Sequence, residues 1–265
     1  MMEIETRDNQ KIIATLSGNP ASPNRVVLVH SLAMDRTFWE PVVREIAADA
    51  HVLTYDCRGH GQSSRSPGPY TTGQFADDLA DVLDHIGWDS AIVAGASMGG
   101  TVALAFATSH PHRTTALGLF DTTAWYGADA PARWRERADK ALADGMEALI
   151  DFQKTRWFTD AFRAQHPGVV YACVTKFLRN GLDTYAATCH MLGNADLRSG
   201  LPSLTMPACI AVGDEDYATP LAMAEYLHAA IGGSTLTVFE KARHFTPIEL
   251  PQRVAAELSS LWKAG

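Results

Sequence analysis

Six short apolar runs constrain the fold of this chain more than any other feature. "RVVLVH" (25–30), "HVLTYD" (51–56), "AIVAG" (91–95), "ALGLF" (116–120), "CIAVG" (209–213) and "TLTVF" (235–239) are rich in β-branched residues, and helical patterns separate them. Strands that are apolar along their length are buried on both faces, so the chain reads as α/β, a mainly parallel sheet with helices on either side. "FADDLADVLDHI" (75–86) puts Phe75, Leu79, Val82, Leu83 and Ile86 on one stripe, and Gly87 follows as a C-terminal stop. "TVALAFATSH" (101–110) is almost wholly apolar, as a helix packed on the sheet requires. The opening stretch "EIETRDNQKIIATLSG" reads as an edge hairpin.

From about Ala130 to Ser199 the alternation stops, and text such as "PARWRERADKALADGMEALIDFQKTRWFTDAF" is helical, aromatic and basic. A strand is due there in a simple doubly wound order, so this stretch reads as a helical insertion over the sheet. Prolines in "LPSLTMP" (201–207) punctuate the return to a strand. The expected division is a core of 1–129 and 200–265 with a helical cap, 130–199, set into it.

Composition narrows the partners. The 265 residues are 46% hydrophobic and 20% charged, enough for a large core, and the net charge of −8 comes without a long basic run, which argues against nucleic acid. The first ten residues are charged and no apolar stretch approaches the length of a bilayer span, so no membrane is expected and the cytoplasm is the default compartment. Cys57, Cys173, Cys189 and Cys209 are widely spaced with no Cys-x-x-Cys pair and read as reduced packing residues, Cys57 being the one beside a loop. Nothing decides the assembly, for which a homodimer is one option.

The chemistry starts from "VAGASMGG" (93–100), where Gly95, Ser97 and Gly99 form Gly-x-Ser-x-Gly. By chance such a pattern arises in about one chain in ten of this length, so its context decides. A strand runs straight into Gly95 and a helical pattern departs from it, the setting in which a serine sits exposed on a strained turn between small neighbours. A serine hydroxyl needs a base to take its proton, and the base needs an orienting acid. An acid loop and then a histidine loop should follow late strands: "DEDYATP" follows "CIAVG", and "EKARHFTPIELP" follows "TLTVF". His244 is thereby singled out among ten histidines, whereas His30, His60, His110 and His112 read as structural or exposed. Asp214, Glu215 and Asp216 could each reach it. An oxyanion formed on attack needs backbone donors: Met98, after the serine at a helix N-terminus, and Leu32 in "VLVHSLAMD". There is no His-Glu-x-x-His, Gly-x-Gly-x-x-Gly or phosphate loop, and no cofactor or metal is expected.

Taken together, "VHSLAMDRTFW", "YDCRGHGQSS", "GASMGG", "GDEDYATP" and "ARHFTPIELP" resemble, in order, the motifs of the α/β-hydrolase family. The resemblance implies the α/β-hydrolase fold with a helical cap. It also selects Asp216, three residues after the strand-ending Gly213, as the acid beside Ser97 and His244. Within the family the chain is similar to 3-oxoadipate enol-lactonases, extending into "RWFTDAFRAQHPGVV" (156–170), "YAATCHML" (185–192) and "ADLRSGLP" (195–202). This implies a cofactor-independent hydrolase of a small lactone or ester. An enol-lactone carries a carboxylate, which a cation should meet. Among the arginines of the insertion (133, 135, 137, 156, 163 and 179), most are expected in solvent, and Arg156 in "TRWF" is the candidate, with Trp134 and Trp157 as aromatic contacts. Lys241 and Arg243 depart from the small residues expected before the histidine and are expected to add positive charge beside the base. A general carboxylesterase, a C–C hydrolase, a perhydrolase and a ligand-binding protein on a hydrolase scaffold are the alternatives.

Overall fold

The computed structural model describes residues 1–263. Eight strands, β1 (Met2–Glu5), β2 (Lys11–Gly18), β3 (Arg25–Val29), β4 (His51–Asp56), β5 (Ala91–Ala96), β6 (Thr114–Phe120), β7 (Ala208–Gly213) and β8 (Thr235–Phe239), form one sheet. Their order is β1-β2-β4-β3-β5-β6-β7-β8. The first two strands pair antiparallel with each other, β2 pairs antiparallel with β4, and every later pairing is parallel. Burial follows position: β5 and β7 are buried at every residue, whereas the edge strand β8 is buried only at Phe239. That is why the central runs are continuously apolar.

Helices α1 (Glu40–Ile46), α2 (Thr72–His85) and α3 (Met98–Ser109) follow β3, β4 and β5. Thr71 and Gln74 close a capping box at the start of α2, and at its end Gly87 takes φ +70°, the left-handed stop the sequence asks for. The α3 helix begins at Met98, three residues before the apolar stretch, because it springs directly from Ser97. Gly99 and Gly100 are poor helix formers and hide that start. Between β6 and β7 come α4 (Ala130–Asp144), α5 (Ile150–Trp157), α6 (Asp160–Gln165), α7 (Pro167–Leu178) and α8 (Leu182–Asn194), with α4 packed along α8. After β7 follow α9 (Leu221–Ala230), α10 (Thr246–Glu249) and α11 (Pro251–Lys263).

All four cysteines are free and buried, Cys57 included. Among the described residues no helix is long and apolar enough to cross a membrane. The loops after β3, β5, β7 and β8 meet beneath the insertion at the carboxyl end of the sheet, where parallel sheets bind ligands.

Candidate active site

Ser97 is the single residue between β5 and α3, at φ 54° and ψ −119°, a conformation L residues rarely adopt. Its surroundings hold it there. The Ser97 N–H donates to the Phe120 carbonyl at 2.9 Å, and the Thr122 hydroxyl donates to the Ser97 carbonyl at 2.7 Å. The turn tolerates no bulk: a Cβ on Gly95 would stand 2.0 Å from the Gly99 carbonyl oxygen, and one on Gly99 would stand 2.1 Å from that of Val29. These are the local reasons for the two glycines of the motif.

From Ser97 a chain of buried polar contacts runs across the ends of three strands. Ser97 Oγ lies 2.9 Å from His244 Nε2, and His244 Nδ1 lies 2.7 Å from Asp216 Oδ2. Asp216 in turn accepts from the Ala218 N–H at 2.7 Å, from the Thr219 N–H at 3.0 Å and from the Thr219 hydroxyl at 2.8 Å. Burial alone would raise its pKa. The adjacent His244 and the Thr219 donors outweigh that and hold the carboxyl below the ordinary carboxylate value. Of the three neighbouring acids, Asp214 accepts from the Ala242 N–H and Glu215 pairs with Arg243 at 2.8 Å, so only Asp216 reaches the imidazole.

A second carboxyl lies behind. Asp121, fully buried at the end of β6 with φ 49°, accepts from the Thr246 hydroxyl at 2.6 Å, the Thr246 N–H at 3.1 Å and the Gly213 N–H at 3.2 Å. Burial and the charge of Asp216 push its pKa well above the ordinary carboxylate value, and its hydrogen bonds tie β7 to α10.

The histidine loop is fastened to the insertion on both sides of His244. Phe245 N–H donates to the Trp157 carbonyl at 2.9 Å. Glu249 accepts from Arg243 N–H at 2.6 Å and from the Thr159 N–H and hydroxyl at 2.8 and 2.9 Å. The Arg243 guanidinium donates to the Thr155 and Phe158 carbonyls and pairs with Asp160 and Glu215. This corrects the expectation of added charge beside the base: two carboxylates neutralise Arg243, whose side chain serves as a strut to the insertion.

Leu32, after β3, lines the cleft beside Ser97, and Met98 opens α3 directly after Ser97. Neither backbone N–H donates to another described residue. His30 and His60 are buried neighbours in the core. The Nε2 of His30 accepts from the Cys57 N–H at 3.0 Å, and burial lowers the pKa of His30 to about 4 and that of His60 to about 3, so both are neutral packing residues.

A cleft of about 30 Å³ is lined by Ser97, His244 and Leu32 from the core and by Trp134, Arg156 and Trp157 from the insertion. Trp157 is stacked on Phe245, ring centroids 5.1 Å apart, beside His244. Tyr126, Arg137 and Gln153 also line the cleft, and sequence reasoning missed them, along with Thr219. Arg137, expected in solvent with most arginines of the insertion, is half-buried and donates through Nε to the Tyr185 hydroxyl at 2.7 Å. Its spacing of three from Trp134, which puts both on one face of α4, was the available signal. Among the described residues no group of three or more His, Cys, Asp and Glu side chains is placed to hold a metal ion.

Ser97 Oγ, the His244 imidazole and the Asp216 carboxyl thus stand in one hydrogen-bonded series at the ends of β5, β8 and β7. The model of a family described by its alpha/beta hydrolase fold matches residues 24–251. The chain is 31% identical over 227 residues to 3-oxoadipate enol-lactonase 2 of Acinetobacter baylyi, covering 86% of this chain and 84% of that protein. The crystal structure of the enol-lactonase from Burkholderia xenovorans superposes with a TM-score of 0.94 at 30% identity, covering 99% of this chain and all of that one. A thermophilic esterase from Thermogutta terrifontis superposes at 0.92 with 28% identity, covering 99% of this chain and 98% of that one. Fold, motif order and a family match over most of the length agree: the chain belongs to the α/β-hydrolase family and is a hydrolase.

Proposed function

We propose that the protein is a cofactor-independent serine hydrolase that opens a small lactone or cleaves an ester through an acyl-enzyme, with an enol-lactone of the 3-oxoadipate type as substrate. The observation that carries this reading is the unbroken contact series from Ser97 Oγ through His244 to Asp216, at 2.9 and 2.7 Å, ending in the cleft.

With the Nδ1 proton donated to the Asp216 carboxylate, His244 Nε2 accepts the Ser97 proton as Oγ attacks the carbonyl carbon. The negative charge that develops on the carbonyl oxygen is met by the N–H groups of Leu32 and Met98, the latter at the positive end of α3. Collapse of the tetrahedral adduct returns the proton from His244 to the leaving oxygen. In a lactone that oxygen stays tethered to the acyl group. Water, deprotonated by the same imidazole, then releases the acid. Arg156 meets the substrate carboxylate, and Trp134 and Trp157 close over the ring. In this reading residues 130–199 act as the cap of a core formed by 1–129 and 200–265. The relatives named enol-lactonases support the lactone, and the esterase structure supports the same atoms acting on an open-chain ester.

The test is hydrolysis of 3-oxoadipate enol-lactone, simple γ- and δ-lactones and a short p-nitrophenyl ester by the wild type and by Ser97→Ala. Turnover of the enol-lactone orders of magnitude above the others, abolished in Ser97→Ala, is the expected result. Slow Ser97-dependent cleavage of the p-nitrophenyl ester alone would keep the mechanism and remove the enol-lactone.

A further inference from the structure

Leu32 owes its place beside Ser97 to a tight turn. The Met34 N–H donates to the Ser31 carbonyl at 3.1 Å, and Ala33, at the third position of that turn, takes φ 59°. This is the pattern of a type II turn, which ordinarily has glycine or asparagine there. An alanine in the left-handed region is strained, and such a residue stays only where its surroundings hold it.

Two side chains do the holding, one from each half of the molecule. In the core, His30 Nε2 accepts from the Cys57 N–H, so the neutral ring carries its proton on Nδ1 and donates it to the Ser31 carbonyl at 2.8 Å. From the insertion, Asn180, in the link between α7 and α8, donates through Nδ2 to the Ala33 carbonyl at 2.8 Å. The same nitrogen lies 3.1 and 3.0 Å from the Lys176 and Phe177 carbonyls at the end of α7. Three carbonyl oxygens around one atom fix it as the amide nitrogen, since the amide oxygen would repel all three.

These bonds run in a line. Asn180 Nδ2 meets the Ala33 carbonyl, and the peptide unit that begins with that carbonyl ends in the Met34 N–H. The Met34 N–H meets the Ser31 carbonyl, whose own peptide unit ends in the Leu32 N–H. The Leu32 N–H donates to no described residue, and Leu32 lines the cleft. Both peptide units are trans, so C=O and N–H point in opposite directions and each bond in the line orients the next. Hydrogen bonds in series also polarise one another, which makes the last donor a better one.

We propose that Asn180 is a positioning residue for the oxyanion: by holding the Ala33 carbonyl it sets the direction and strength of the Leu32 N–H across two peptide units, and the insertion thereby reaches the reacting carbonyl through the backbone of the core. This deepens the proposed function and rests on its reading of Leu32 as an oxyanion donor.

Steady-state hydrolysis of p-nitrophenyl acetate and inhibition by trifluoroacetophenone, both with the full-length protein, test the relay. The ketone carbon takes Ser97 Oγ, the Ser97 proton passes to His244, and the carbonyl electron pair becomes an oxyanion, so the inhibition constant reads the oxyanion donors directly. Asn180→Ala should lower kcat and weaken the inhibitor by matching factors of about ten, less than the roughly 10²–10³ for a donor removed outright, with KM changed by less than about twofold. Asn180→Ser divides the two tasks of the side chain. A serine hydroxyl can bond back to the Lys176 or Phe177 carbonyl but is too short to span to Ala33, so this variant should melt as the wild type does and lose activity as Asn180→Ala does. Thr184→Val removes another bond from the insertion to the core, the 3.1 Å contact with the Gly59 carbonyl, and should leave kcat and the inhibition constant unchanged.

Wild-type kcat in Asn180→Ser, a fall in kcat without weaker inhibition, or an equal loss in Thr184→Val would overturn the proposal. Ser97→Ala is measured alongside. Hydrolysis that survives Ser97→Ala removes the serine reading and the relay with it, whereas Ser97-dependent hydrolysis at the wild-type rate in both Asn180 variants removes the relay alone.

Discussion

The sheet side and the insertion side of the cleft treat charge in opposite ways. On the sheet side every titratable group near the serine is paired or neutral: Asp216 is matched by His244 and three donors, and Asp121 is bridged to Thr246 and Gly213. On the insertion side Arg137 and Arg156 stand without carboxylates, and Tyr126 without a hydrogen-bond partner. A complete network is rigid and ready to act on any carbonyl that reaches it, whereas an incomplete one waits for a ligand to finish it. Under the proposed function, the contrast divides the work: bond cleavage in the core, choice of substrate in the insertion.

The most severe way to break that division is at the serine. Ser97→Ala and His244→Ala should each lower kcat by about 10⁴–10⁶ while leaving substrate affinity nearly unchanged, as losing either member of a unit removes the whole. Steady-state kinetics with single-turnover controls reads both. Asp216→Asn comes next, with a fall of about 10³–10⁴ in kcat because the imidazole loses its orienting acceptor. A loss of that size in kcat from any substitution in α4 or α5 would contradict the assignment of chemistry to the core.

Trp157→Ala sharpens the contrast from the other side. It removes a buried ring stacked on Phe245, and by analogy with other large-to-small core changes should cost about 3–5 kcal/mol in stability by chemical denaturation, with KM rising more than kcat falls. Arg243 tests the seam between the regions. As a positioning residue, Arg243→Ala should reduce kcat by about tenfold, and Arg243→Lys should recover part of the loss, since a lysine can still reach Asp160 or Glu215.

The smallest effect concerns acid stability. The folded-state pKa of Asp216 lies below its unfolded value of about 3.9, so its contribution is complete above that pH and is lost as pH falls through the lower, folded value. The stability gap between wild type and Asp216→Asn should therefore shrink as pH falls through about 4 and below. A gap that widened in acid would show that the carboxyl is held up, as Asp121 is, rather than down.

Much of this molecule is legible in its text. The apolar runs name six of the eight strands: in the central ones burial on both faces demands apolar residues along the strand, and in the edge strand β8 the β-branched residues of "TLTVF" carry the signal. The serine turn is legible for the same reason: Gly95 and Gly99 answer to backbone atoms only a few residues or one strand away. The histidine after the last strand follows from chain order alone.

Other features depended on contacts between distant parts of the chain. By residue chemistry Asp214, Glu215 and Asp216 are equivalent, and the family resemblance alone selects Asp216; what separates them physically is the packing of the β7 loop against a histidine 28 residues later. Arg243 reads as a cation beside the base and becomes a strut, because Asp160 and Glu215 are brought to it from the insertion and the acid loop. Arg137 reads as one of several solvated arginines, and its withdrawal depends on α8 covering the face of α4 that carries it. Backbone periodicity and turn chemistry act over a few residues and can be read in a line. The charge state and partners of a buried side chain are set by whatever the fold packs against it, and that is decided in three dimensions.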